Sequence, residues 1–186
     1  MSNNKFSFIH IPKTGGTSLL QSLRCSKMDI DYLLHSNLQS FHNRNIKNPV
    51  ISCVRNPFDR VISFYYYFIQ SEHPIPSLQH MTFESFIDNL EEIHPLIKPC
   101  YDFLTIDGEF KCDFLLKFET LEKDYKQMMQ KIGIMVPCDL IHLKNNSKKP
   151  LFDRNNVYNS EQIEKISRIY EKDMNFFGYS YENWIN

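Results

Sequence analysis

Apolar and polar positions alternate from Phe6 to Ile11, and the alternation stops at Pro12. A period of two marks a strand. Lys13, Thr14, Gly15 and Gly16 break the pattern, and a helical one runs from Thr17 to about Arg24. Val50–Val54 is a continuous apolar, β-rich run, as in a strand buried on both faces. Asn56 can cap the helix that follows to about Gln70, with Pro57 suited to its first position. Met28–Leu34 reads as a second strand with His35 just past its end, and Phe114–Phe118 as a third central strand. An amphipathic helix from Leu121 to Lys131 should stop at Gly133. Thr82 should cap a helix to about Leu90, with Glu84 and Asp88 on its surface, and Ser160 should cap a last helix to about Phe176. Asn37–Asn48 is polar, Ser71–His80 is a Pro-containing loop, His94–Gly108 is irregular and aromatic, and Ile141–Asp153 is basic and Asn-rich. Strands alternating with helices predict an α/β chain with a central parallel sheet flanked by helices, a single domain over residues 1–186.

The first strand, loop and helix form a P-loop-like anion site. Unpaired N–H groups at a helix start point outward, and the helix dipole favours negative charge there. Gly15 and Gly16 let a phosphate approach the backbone, Lys13 adds charge, and Thr14, Thr17 and Ser18 add hydroxyls. The nucleotide loop of kinases and ATPases places Lys after its glycines. Here Lys13 precedes Gly15 and Gly16, which weakens that reading. Arg55 falls at the carboxyl end of the buried strand, where open α/β sheets bind ligands. Ser63 lies about two helical turns further on. Arg55 and Ser63 can hold one anion if the preceding loop folds back over the helix; taken singly, each also reads as a surface residue.

These two stretches together resemble the sulfotransferase superfamily. Residues 6–20 are similar to its 5'-phosphosulfate loop, and Arg55-Asn-Pro-Phe-Asp-Arg-Val-Ile-Ser-Phe-Tyr-Tyr-Tyr is similar to its 3'-phosphate motif. The nearest likeness is to the carbohydrate sulfotransferases, including heparan sulfate 2-O-sulfotransferases. Phe114–Tyr125, Asn145–Lys149, Tyr158 and Ile169–Tyr179 continue the likeness downstream. The resemblance implies the sulfotransferase fold and transfer of a sulfuryl group from 3'-phosphoadenosine 5'-phosphosulfate (PAPS) to a hydroxyl acceptor, with 3'-phosphoadenosine 5'-phosphate (PAP) as product. It implies a glycan as acceptor and no metal. Pro12, Lys13, Thr14, Gly15, Gly16, Thr17, Ser18, Arg55, Ser63 and Lys148 become the expected donor-binding residues.

For catalysis the resemblance implies Lys13, stabilising the leaving phosphate, and a His base located shortly before the 3'-phosphate strand. His35 and His42 both lie in that interval, and spacing favours His35. Other branches use a Glu in the first helix region, but this chain has Gln21 and no acidic residue between Lys13 and Met28. His10 reads as a packed strand residue, with a side chain that could also reach the site. Asp59 and Arg60 read as surface or capping residues, Glu119 as structural, and Lys148 and Lys149 as closing over the donor or binding acidic substrate, or as a solvated pair. A nucleotide kinase and a non-catalytic binding module on the same fold are the alternative functions.

A net charge of -1 gives no overall bias towards nucleic acid or anionic membrane. The five cysteines are scattered, no C-x-x-C occurs, and Cys53 reads as a core residue. An odd number argues against a complete disulfide framework and for a reduced compartment. No leader and no apolar run long enough to cross a bilayer is visible. The expectation is a cytoplasmic protein, whereas the animal proteins it resembles are anchored in the Golgi.

Overall fold

The computed structural model describes residues 5–33, 35–69, 80–93, 95–135, 137–142, 154 and 156–186. In chain order, strand β1 (Lys5–Ile9) leads to helix α1 (Gly16–Cys25), β2 (Asp29–Tyr32) and α2 (Leu38–Asn43). Strand β3 (Val50–Val54) feeds α3 (Pro57–Phe68), followed by α4 (Phe83–Asp88), α5 (Leu90–Ile93) and α6 (Cys100–Phe103). Two short strands, β4 (Thr105–Ile106) and β5 (Glu109–Phe110), precede β6 (Phe114–Lys117) and α7 (Leu121–Lys131). The chain closes with α8 (Ser160–Ile169), α9 (Glu171–Phe177) and α10 (Glu182–Ile185). It divides into two compact units, residues 1–55 with 100–145 and residues 56–99 with 146–186.

The first unit holds a parallel sheet of order β2-β1-β3-β6. Register puts Phe8 beside Tyr32 and Ile51, and Cys53 beside Leu116. Alternation then sends Phe6, Phe8, Ile30, Tyr32, Ile51, Cys53 and Leu116 to one face. They share one core with Leu19, Leu20 and Leu23 of α1 and Leu121, Tyr125, Met128 and Met129 of α7. Phe8 is fully buried, which contributes roughly 1.5–3 kcal/mol. Burial pushes the Cys53 thiol well above its ordinary value, so it behaves as an inert core group. In this sheet β6 lies at an edge rather than in the centre.

Several boundaries differ from the sequence pattern. The polar 37–48 stretch contains α2, because the Asn37 side chain accepts from the Ser40 N–H while Leu38 and Phe41 are buried. The irregular 94–108 stretch contains α6 and the first strand of a β4–β5 hairpin. Cys25 and Cys138 form a disulfide, which the scattered spacing does not suggest. It links the end of α1 to the segment after α7.

The second unit packs Phe58, Val61, Phe64 and Phe68 of α3 with Phe86, Ile87, Leu90, Tyr158, Ile166, Tyr170 and Trp184. Asn56 caps α3 by accepting from the Phe58 N–H at 3.0 Å, as its sequence position implies. Arg60 is not a surface residue: it is fully buried and its Nη1 donates to the Lys98 carbonyl at 2.8 Å. The final cap is Asn159 rather than Ser160, through a reciprocal box with Gln162. The helix beyond it breaks at Tyr170, whose buried hydroxyl reaches the Ile97 carbonyl at 2.7 Å.

Candidate functional site

Strand β1 ends at Ile9, and residues 10–15 turn the chain into α1 within the first unit. Two features make this turn tight. Lys13 has a φ of +66° and Gly15 a φ of +83°, both left-handed. For lysine that conformation costs roughly 1–2 kcal/mol, so surrounding contacts must hold it. The buried Thr14 hydroxyl donates to the Ile11 carbonyl at 2.9 Å, and the Arg55 Nη1 donates to the Lys13 carbonyl at 3.0 Å. Thr14 therefore spends its hydroxyl on the loop itself, while Thr17 is exposed and Ser18 half-buried.

Gly15 opens α1 without any side-chain cap. A ten-residue helix with no side-chain cap presents its first-turn N–H groups and the positive end of its dipole. Both glycines are also required by packing. A Cβ on Gly15 would come 2.8 Å from the Phe118 ring, and one on Gly16 would collide with the His10 imidazole. Pro12 is buried and Lys13 half-exposed at the same turn.

Arg55 directly follows β3 and is only 7% exposed. Its guanidinium carbon stands 4.0 Å from the centre of the Phe118 ring, a cation–π contact. Phe118 directly follows β6, so the carboxyl ends of β1, β3 and β6 meet at this point. Sequence reasoning passed over Phe118; as the residue after an apolar strand it carries no chemical signal of its own.

A second group sits at the ends of β1 and β2. The His10 ring is buried, and its Nδ1 lies 3.1 Å from the Tyr32 hydroxyl. His35, in a left-handed turn with φ +53°, places its ring centre 5.1 Å from that of His10, with the planes inclined by 37°. His10 in turn abuts Gly16, the first residue of α1. This chain of contacts ties His35 to the mouth of the Lys13–Gly16 loop. His42 is exposed in the last turn of α2. Tyr32 was not singled out by the sequence; its register with Phe8 is set by the pairing of β1 with β2.

The structure thus brings together Pro12 to Ser18, His10, His35 and Arg55 in the first unit. Ser63 belongs to the second unit, where it lies buried in α3 between Ile62 and Phe64. Lys148 and Lys149 lie outside the described residues, as does most of the basic 141–153 loop. Among the described residues no cluster of three His, Cys, Asp or Glu is arranged to hold a metal. No helix among them is long and apolar enough to cross a membrane.

A family model described as "Sulfotransferase family" matches residues 2–180. The fold is similar to that of mouse sulfotransferase SULT7A1, whose crystal structure was determined in complex with PAP. The TM-score is 0.64 at 15% sequence identity, over 95% of this chain and 86% of the mouse chain. No curated protein sequence matches the chain.

Proposed function

The chain belongs to the sulfotransferase family, and from that premise we propose that it is a PAPS-dependent enzyme that sulfates a hydroxyl on a carbohydrate. The observation that carries the reading is the Lys13–Gly16 loop, opening the uncapped α1 and held by Arg55. These residues fit an anionic donor: a lysine, a glycine turn and a helix N-terminus converge on one spot. PAP in the similar mouse enzyme supports the same donor class. The family match spans nearly the whole chain, which supports reading the two units as one functional domain.

The donor supplies an activated sulfuryl group on a phosphate leaving group. We assign Lys13 to neutralise the charge left on that phosphate as the S–O bond breaks. We assign His35 to accept the proton of the acceptor hydroxyl as its oxygen bonds to sulfur. Its contact with His10, and through it with Gly16, favours His35 over the exposed His42. Loop amides and the hydroxyls of Thr17 and Ser18 bind the 5' end. Arg55 and Ser63 are assigned to the 3'-phosphate, and Lys148 to the donor, on the resemblance of their motifs. Arg55 also has a role in the loop itself, through the Lys13 carbonyl. The carbohydrate acceptor rests on the same resemblance. A cytoplasmic location is the proposal drawn from the sequence, and the Cys25–Cys138 disulfide counts against it, since such bonds persist in oxidising compartments.

The test is transfer of labelled sulfate from PAPS to a panel of glycans and small phenols, with thermal protection by PAP measured beside ATP with Mg²⁺. Glycan labelling lost in Lys13→Ala is the expected result. Labelling of phenols alone would overturn the carbohydrate assignment, and protection by ATP with Mg²⁺ alone would overturn the donor.

A further inference from the structure

His10 lies directly beyond β1, beside the donor loop, and its side chain makes three separate contacts. One edge of the ring places Nδ1 3.1 Å from the Tyr32 hydroxyl of β2. The opposite edge, Cδ2 and Nε2, packs on Gly16, where no side chain larger than hydrogen fits. One face looks towards His35, with ring centres 5.1 Å apart and planes 37° apart. Phe8 flanks the ring at 5.8 Å. A histidine needed only to fill space does not require a hydroxyl partner, a glycine on its edge and a second imidazole on its face.

We propose that His10 is a positioning residue that fixes the His35 imidazole against the donor loop. Tyr32 holds the plane of His10, and Gly16 sets its depth. His35 then has a fixed ring to pack beside, although its own backbone sits in a left-handed turn. The proposal rests on the reading of His35 as the base.

The pairing has an electrostatic consequence. Two imidazoles this close disfavour a second positive charge, so protonation of either makes protonation of the other harder.

The experiment reads His35 directly. Imidazole ¹H–¹⁵N spectra are recorded across pH for the wild type, His10→Gln and Tyr32→Phe, beside pH profiles of kcat and the KM for PAPS. In His10→Gln the titration midpoint of His35 is expected to rise, since one of the two neighbouring imidazoles is gone. The acid limb of kcat should rise with it, lowering kcat on the acid side while KM for PAPS holds. Tyr32→Phe keeps both imidazoles and removes only the hydroxyl. It is expected to change the His10 tautomer ratio and lower kcat several-fold at constant KM, and it decides the matter if His10→Gln does not fold. An unchanged His35 midpoint in His10→Gln overturns the proposal, as does an unchanged kcat and tautomer ratio in Tyr32→Phe. A fully active His35→Ala would instead overturn the base assignment, and the spectra would report the pairing independently of it.

Discussion

The Arg55 guanidinium donates to the Lys13 carbonyl at 3.0 Å while its carbon rests 4.0 Å above the centre of the Phe118 ring. One side chain thereby joins the segments that leave β1, β3 and β6. It also holds Lys13 in a backbone conformation that lysine does not choose alone. Arg55 is proposed above for the 3'-phosphate; the geometry adds that it shapes the loop carrying Lys13.

Replacing Arg55 by Lys should therefore not be conservative. Lysine keeps the charge but loses the planar fork and the stack. Arg55→Lys is expected to lose roughly 1.5–3 kcal/mol of stability, on the scale of a charged hydrogen bond. It should also weaken PAP binding, read by denaturant midpoints and calorimetry.

Lys13 allows function and stability to be separated. Lys13→Gly relieves the left-handed backbone, worth roughly 1–2 kcal/mol, against a glycine entropy cost of about 0.5–1 kcal/mol. The variant should be at least as stable as the wild type and yet lose about 10²–10³ in kcat, the scale of one lost transition-state donor. Thermal melts beside sulfate transfer check both halves.

Gly16→Ala should fail for a packing reason. The added methyl meets the His10 imidazole, and overpacking of this kind costs roughly 1–3 kcal/mol. Displacing His10 also moves the ring packed beside His35. Loss of stability together with loss of kcat is expected, with partial recovery of stability when His10→Ala is added.

The disulfide predicts a redox-dependent stability. Cys25 and Cys138 are separated by 113 residues. A disulfide typically contributes about 2–4 kcal/mol, with long loops at or above the top of that range. Paired replacement by Ser, or reduction by dithiothreitol, should lower the denaturant midpoint accordingly. The same midpoint with and without reductant would rule this out.

Alkaline pH should weaken the fold through Cys112. Burial pushes its thiol from 9.0 up to about 12. Between those values the unfolded chain releases a proton that the folded chain keeps, so stability is full below about pH 9 and falls as pH rises towards 12. Cys112→Ala should flatten part of that decline in urea titrations at pH 7 to 10.

Much of the architecture was legible along the chain. Val50–Val54 and its Asn56–Pro57 helix start match β3 and α3, and α1 and α7 fall within a residue or so of expectation. Misses came where a local signal was weak. Ser160 and Asn159 are both good caps, and only the reciprocal bond with Gln162 chooses between them. Arg60 looked solvent-facing because the Lys98 carbonyl that receives it is 38 residues away in sequence.

The sequence alone determined the alternation of strands and helices, the glycine turn beside Lys13, and the family. Those are properties of neighbouring residues, set by backbone sterics, apolar periodicity and motif order. Only the tertiary structure decided that Arg55 grips the Lys13 carbonyl, that Phe118 backs it, and that His10, Tyr32 and His35 form one group. Those contacts join residues on separate strands, and their distances arise only when the parallel sheet brings strand ends together.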